Sequence, residues 1–215
     1  MIIAVRRLAV AVALVGALAS ACGGSGYTYH SNQDEKLYFK LPDDWTVFDT
    51  EDFGDEEIPA GLWLRGFVGG PSPSIESVFT WVSDEPRGYV VVEPLGVMER
   101  DATSLATLRT THFGADPETG DPLDPLAYGM EHPDELQVLG YDDNVVLDSG
   151  PHGVHIRVAV TPPGSGETAI IDQTALVDAA TSRRYVLSIG CTEECFEEHE
   201  RDIEAVIESW TLEPR

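Results

Sequence analysis

The chain has 215 residues and is strongly acidic: 38 Asp and Glu against 13 Lys and Arg give a formal charge of −25. Phosphate binding needs clustered Lys and Arg, so this balance excludes nucleic acid and strongly anionic surfaces as partners. It favours solubility and suits a cationic partner or a divalent metal, or simply marks an acidic host proteome. An apolar content of 42% with four tryptophans excludes a disordered chain and is enough for one domain with a substantial core.

The chain opens on the three parts of an export leader. Arg6 and Arg7 form a positive region, and Leu8 to Leu18 is an apolar run. Ala19, Ser20 and Ala21 are the small residues a signal peptidase accepts. The run is shorter than the roughly 20 apolar residues needed to cross a bilayer. The next residue is Cys22, and Leu18-Ala19-Ser20-Ala21-Cys22 resembles the bacterial lipobox, with alanine three places before the cysteine. That resemblance implies cleavage after residue 21, a diacylglyceryl thioether on Cys22 and usually acylation of the new amino group. Two or three acyl chains hold a protein stably at a membrane. The expected localisation is therefore the extracytoplasmic face of the cell membrane, with residues 22–36 as lipidated cysteine and flexible tether. Such a tether reaches roughly 20 Å.

The remaining chain, 37–215, reads as one α+β domain. Leu37–Leu41 and Trp45–Phe48 form a short extended pair around the turn Pro42-Asp43-Asp44. An acidic loop follows, then a strand from Leu62 to Val68. Ser77–Val82 and Tyr89–Val97 are expected as paired strands, and Tyr89-Val90-Val91-Val92 is apolar throughout, as in a strand buried on both faces. The spacing predicts a helix over Asp101–Phe113, stopped by Gly114, and irregular chain from Asp116 to Pro125. Leu136–Leu147 holds one or two strands. His152–Thr161, Thr168–Val177 and Arg184–Ile189 read as a three-stranded antiparallel meander. A helix from Glu193 to about Ser209 closes the fold, with Phe196, Ile203, Val206, Ile207 and Trp210 on one face.

With Cys22 lipidated, Cys191 and Cys195 remain as a close pair, which is expected to be oxidised outside the cytoplasm. A cap at Thr192 would place their Cα atoms within the 4.4–6.8 Å a disulfide requires. The surrounding Glu193, Glu194, Glu197 and Glu198 disfavour a reactive thiolate, so the bond reads as structural. His152 and His155 fall on opposite faces of a strand and cannot share a metal. The acids at 116, 118, 121 and 124 lack the spacing of an EF-hand, which leaves a weak calcium site or a solvated loop. Gly-x-Ser-x-Gly does not occur, and Ser165 sits in a hairpin turn rather than on a nucleophile elbow. No catalytic residue, metal ligand or cofactor site is assigned. Trp45, Trp63, Trp81 and Trp210 are available to line a ligand cleft, although aromatic residues on strands ordinarily belong to the core. Residues 58–67, with Trp63 and Arg65, are the expected partner surface, since Trp and Arg are enriched in binding hot spots.

Leu37-Tyr-Phe-Lys-Leu-Pro-Asp-Asp-Trp45 resembles the opening strand-turn of PsbP-like proteins. Tyr185-Val-Leu-Ser-Ile, then a helix and Glu208-Ser-Trp-Thr-Leu212, is similar to their closing strand, helix and tail. With the lipobox, the chain looks like the actinobacterial lipoproteins that carry such domains. The resemblance implies an antiparallel β-sheet flanked by helices, an α/β/α sandwich. It also implies a non-catalytic binding or assembly factor at the cell envelope. A cell-envelope hydrolase with dispersed site residues and a small-ligand or metal-capture lipoprotein stand as alternatives. An aromatic-lined cavity favours ligand capture, a flat apolar patch a protein partner, and a deep polar pocket with converging acid and base an enzyme.

Overall fold

Nine consecutive residues, Ala169–Val177, are buried although Asp172, Gln173 and Thr174 interrupt the apolar run. Only the middle of a sheet covered on both faces buries a strand so completely. In the computed structural model of the protein, which describes residues 26–54 and 59–213, this strand lies near the centre of a seven-stranded antiparallel sheet. The strands, in chain order, are β1 (Tyr27–Asn32), β2 (Leu37–Pro42), β3 (Thr46–Phe48), β4 (Trp63–Val68), β5 (Arg87–Pro94), β6 (Leu136–Val146), β7 (His152–Val160), β8 (Ala169–Val177), β9 (Arg183–Thr192) and β10 (Thr211–Leu212). The large sheet runs β3-β4-β5-β9-β8-β7-β6, and β1-β2-β10 forms a second, three-stranded sheet. The expected meander is therefore present as β7, β8 and β9.

Side-chain alternation divides the large sheet into two faces. On the front, Val90, Val92, Leu187 and Ile189 pack with Phe39 of β2 and with Ile203 and Val206 of the closing helix. On the back, Tyr89, Val91, Val154, Ala175 and Val186 meet Val78 and Leu108, and Ile156, Val158 and Ile171 form a further cluster. Helices and the small sheet thus cover one face, and short helices and loops the other. This is an α+β fold of antiparallel sheets flanked by helices.

Several boundaries differ from the sequence expectation. Residues 27–32 belong to β1, not to a tether, and pair with β2 from Tyr27↔Pro42 to Asn32↔Leu37. The segment is polar, so apolar periodicity conceals it. Side-chain contacts fix it instead: the Tyr27 hydroxyl donates to Asp202 at 2.6 Å and His30 stacks on Phe39. The turn at Pro42–Asp44 does not join a hairpin, because β3 pairs with β4 in the other sheet. Residues 77–82 are not a strand. Ile75–Phe79 form a 3-10 turn that buries Val78, while Tyr89 of β5 packs against Phe79; β4 and β9 occupy the two edges of β5.

The helix expected over 101–113 is two short ones, α1 (Val97–Ala102) and α2 (Leu105–Arg109). Ser104 accepts from the Thr107 amide and starts a new helix instead of continuing the old one, the competition expected of serine. Following α3 (Pro125–Glu131), the closing helix is likewise divided at His199 into α4 (Glu193–Glu198) and α5 (Glu200–Ser209). Residues 136–146 are one edge strand with two register shifts. Such irregularities, with Asp142 and Asp143 on the strand, discourage pairing by another chain.

Candidate functional site

The back of the sheet contains a cavity of about 250 Å³ near β6 to β9. Its wall comes from alternate residues of the strands: Leu136, Val160, Ile171, Gln173 and Ser188. Trp81, His112, Phe113, Leu123 and Tyr128 close over it from the loops and α3. The volume lies just below the 300–1,000 Å³ common for small-molecule sites, and the lining has their usual chemistry, apolar and aromatic with a few polar groups.

Two of those polar groups are buried. Gln173 is 2% exposed and donates Nε2 to the Thr111 carbonyl at 2.8 Å. That bond uses one amide hydrogen and fixes the side chain against the cavity. Ser188 is 1% exposed. Burial raises the Tyr89 pKa far above the phenol range, with a small opposing effect from nearby Ser188. The Ser188 hydroxyl nonetheless completes no hydrogen bond of acceptable geometry among the described residues. An unsatisfied buried hydroxyl costs about 1–3 kcal/mol, which a guest bonded to it would recover.

His112 forms the third polar element of the wall. Its backbone is left-handed, with φ of 63°, a conformation costing an L-residue on the order of 1 kcal/mol. The ring is held at both nitrogens: Nδ1 lies 3.0 Å from the Tyr89 hydroxyl and Nε2 3.4 Å from Glu93. Burial alone would raise the Glu93 pKa, but His112 and Arg184 together hold that carboxyl below its ordinary value. Glu93 is thus a charged anchor for the ring. Tyr89 stays a neutral phenol, and it is not part of the cavity wall. The His112 ring is already committed to these two groups, and among the described residues no histidine is hydrogen-bonded to Ser188. No activated nucleophile follows from this geometry.

One part of the cavity wall carries a carboxylate. The Tyr128 hydroxyl donates to Glu135 at 2.7 Å. That bond, with smaller contributions from burial and from Asp116 and Glu118, pushes the Tyr128 pKa up to about 12. Glu135, Leu136 and Thr161 also border a neighbouring hollow of about 190 Å³, to which Asp134 and Glu193 contribute.

The residues singled out from sequence fall elsewhere. Cys22 lies outside the described residues. Cys191 and Cys195 are joined by a disulfide across the β9–α4 junction with Cα atoms 5.9 Å apart, and both are buried. Trp63 and Arg65 neighbour each other on β4, half-buried, with the guanidinium 5.4 Å from the indole and ion-paired to Asp49. Trp63 packs at the margin of the front core, and Ile58 lies outside the described residues. Trp45 and Trp210 belong to that core, and Trp81 alone of the four tryptophans lines the cavity. In the acidic loop, Asp116 accepts from the Glu118 and Thr119 amides, while Asp124 caps α3 and pairs with Arg109. Among the described residues no three His, Cys, Asp or Glu side chains gather as a metal site, and no helix is long and apolar enough to cross a membrane.

No protein-family model matches the chain, nor does any curated protein sequence. Solved structures similar to it include the cyanobacterial PsbP protein, CyanoP, from Synechocystis sp. PCC 6803, at 11% identity and a TM-score of 0.47, covering 89% of this chain and 95% of that one. LpqN, involved in cell envelope biogenesis of Mycobacterium tuberculosis, aligns at 12% identity and a TM-score of 0.46, over 90% of this chain and 88% of its own. The Ran-binding protein Mog1p of Saccharomyces cerevisiae aligns at 10% identity and a TM-score of 0.42, over 87% and 96%.

Proposed function

We propose that this is a lipid-anchored extracytoplasmic protein of the cell envelope that captures a small, largely apolar ligand and performs no covalent chemistry on it. The observation that carries this reading is the aromatic-lined cavity with the buried Ser188 hydroxyl and the Gln173 amide in its wall. Apolar walls supply most of the binding free energy, at about 25 cal/mol per Å² removed from water, and the polar pair sets orientation. The anchor rests on the Leu18–Cys22 pattern, and the oxidised cysteine pair is in keeping with an extracytoplasmic setting. Delivery of the captured molecule to another envelope protein is the role that joins this site to assembly work.

Indole tests the site, being neutral, apolar and small. Titration of the mature protein should give saturable binding, with NMR shifts concentrated at Trp81, Ile171 and Ser188. Leu123→Trp, which fills the cavity from a loop, should abolish binding without lowering Tm. Binding that is not saturable, or that persists unchanged in the filled variant, overturns the reading.

A further inference from the structure

The charge of the cavity narrows the ligand further, an inference that rests on the cavity being a binding site. No Lys or Arg lines it, and the ring of His112 is already held by Tyr89 and Glu93, so the wall offers no free cation to a carboxylate or phosphate. Its one carboxylate, Glu135, sits on the border with the hollow that holds Asp134 and Glu193. The Tyr128 hydroxyl donates to this carboxylate at 2.7 Å, and Asp116 and Glu118 add further negative charge nearby. At the buried end, Ser188 and Gln173 are neutral and offer both donors and acceptors. The carboxylate and the neutral polar pair thus ask for different chemistry, and the rest of the wall is mostly apolar and aromatic.

We infer that the cavity binds a small organic cation, with its apolar body between Trp81, Phe113 and Ile171, its ammonium at Glu135, and a hydroxyl or carbonyl at its far end meeting Ser188 and Gln173. The orphaned Ser188 hydroxyl favours a ligand with a polar far end, since a hydrocarbon would leave that group unsatisfied at the cost already given. Anions would lose their hydration without gaining a counter-charge. Glu135 is half-buried, so its attraction for an ammonium is that of a partly solvated ion pair, worth a few-fold in affinity, and its repulsion of a carboxylate about as much again, a difference of about tenfold between the two.

Three probes with one ring framework separate these elements: tyramine, phenethylamine, which lacks the hydroxyl, and 3-(4-hydroxyphenyl)propionate, which replaces the ammonium by a carboxylate. Calorimetry on the mature protein at pH 7 should rank tyramine first, about tenfold tighter than the carboxylate. Glu135→Gln should shrink that gap to about threefold or less, and Ser188→Ala should remove the advantage of tyramine over phenethylamine while leaving the charge preference. A carboxylate that binds as tightly as tyramine, or a preference that survives Glu135→Gln, overturns the cation assignment and leaves the binding site standing. Saturable binding by none of the three probes, together with none by indole, removes the site itself and this inference with it.

Discussion

His155 Nε2 lies 2.9 Å from both carboxylate oxygens of Asp172, its neighbour on the front of the sheet. The bond to Asp172 raises the imidazole pKa, against the opposing effects of burial and Arg157, and Asp142 adds to the increase. A histidine whose folded pKa exceeds its unfolded value of about 6.5 stabilises the fold fully below that value. The contribution disappears as pH rises through the folded pKa. The stability difference between the native protein and His155→Asn should therefore be largest near pH 5.5 and shrink above neutrality. Unfolding midpoints from pH 5 to 9 measure this, and a difference that grows with pH contradicts it.

Asp172 also accepts from Arg157 Nε at 2.7 Å, and Arg157 reaches on to Glu204 of α5 at the same distance. The two carboxylates differ in burial, with side chains 2% and 37% exposed. Asp172→Ala leaves the half-buried Arg157 and His155 without their one fully buried counter-charge and should cost about 2–3 kcal/mol. Glu204→Ala should cost under about 1 kcal/mol, as exposed pairs do. Denaturant unfolding of both variants checks the order, and equal losses would show that burial does not decide it.

Closing the short loop between Cys191 and Cys195 restricts the unfolded chain by about 2 kcal/mol on the entropy model. Replacing both cysteines by serine should lower stability by about that amount while preserving the fold. The native protein from an oxidising compartment should yield no alkylatable thiol at these positions under denaturing conditions. Two free thiols would exclude the bond.

Cys22→Ala should abolish lipid labelling and release the protein from the membrane fraction. A variant that stays membrane-bound would show that something other than an acyl anchor holds it.

The sheet was largely legible in the sequence because its central strands are driven by burial alone. Tyr89–Val92 and Val154–Val160 carry their partnering in their hydrophobicity. β1 was not, because Tyr27–Asn32 is polar and owes its place to contacts with Asp202 and Phe39, far away in the chain. The cavity was hidden for the same reason. Trp81, His112, Leu123 and Ser188 have no sequence spacing in common and meet only through the topology. One signal existed: polar Asp172 and Gln173 inside an apolar strand, and Ser188 inside another, mark places where a buried sheet does something besides pack. Trp63 and Arg65 drew attention by residue type, but type does not reveal that Asp49 already holds the guanidinium.

The strand at Tyr27 has a consequence for geography. Residue 27 is fixed to the small sheet on the front face, so the lipid anchor proposed at Cys22 would join the folded body through five residues spanning at most roughly 18 Å. Such an anchor would hold the domain close against the bilayer from its front layer, whereas the cavity lies behind the large sheet. A guest would be loaded from the aqueous side, with the body of the protein standing between it and the lipid.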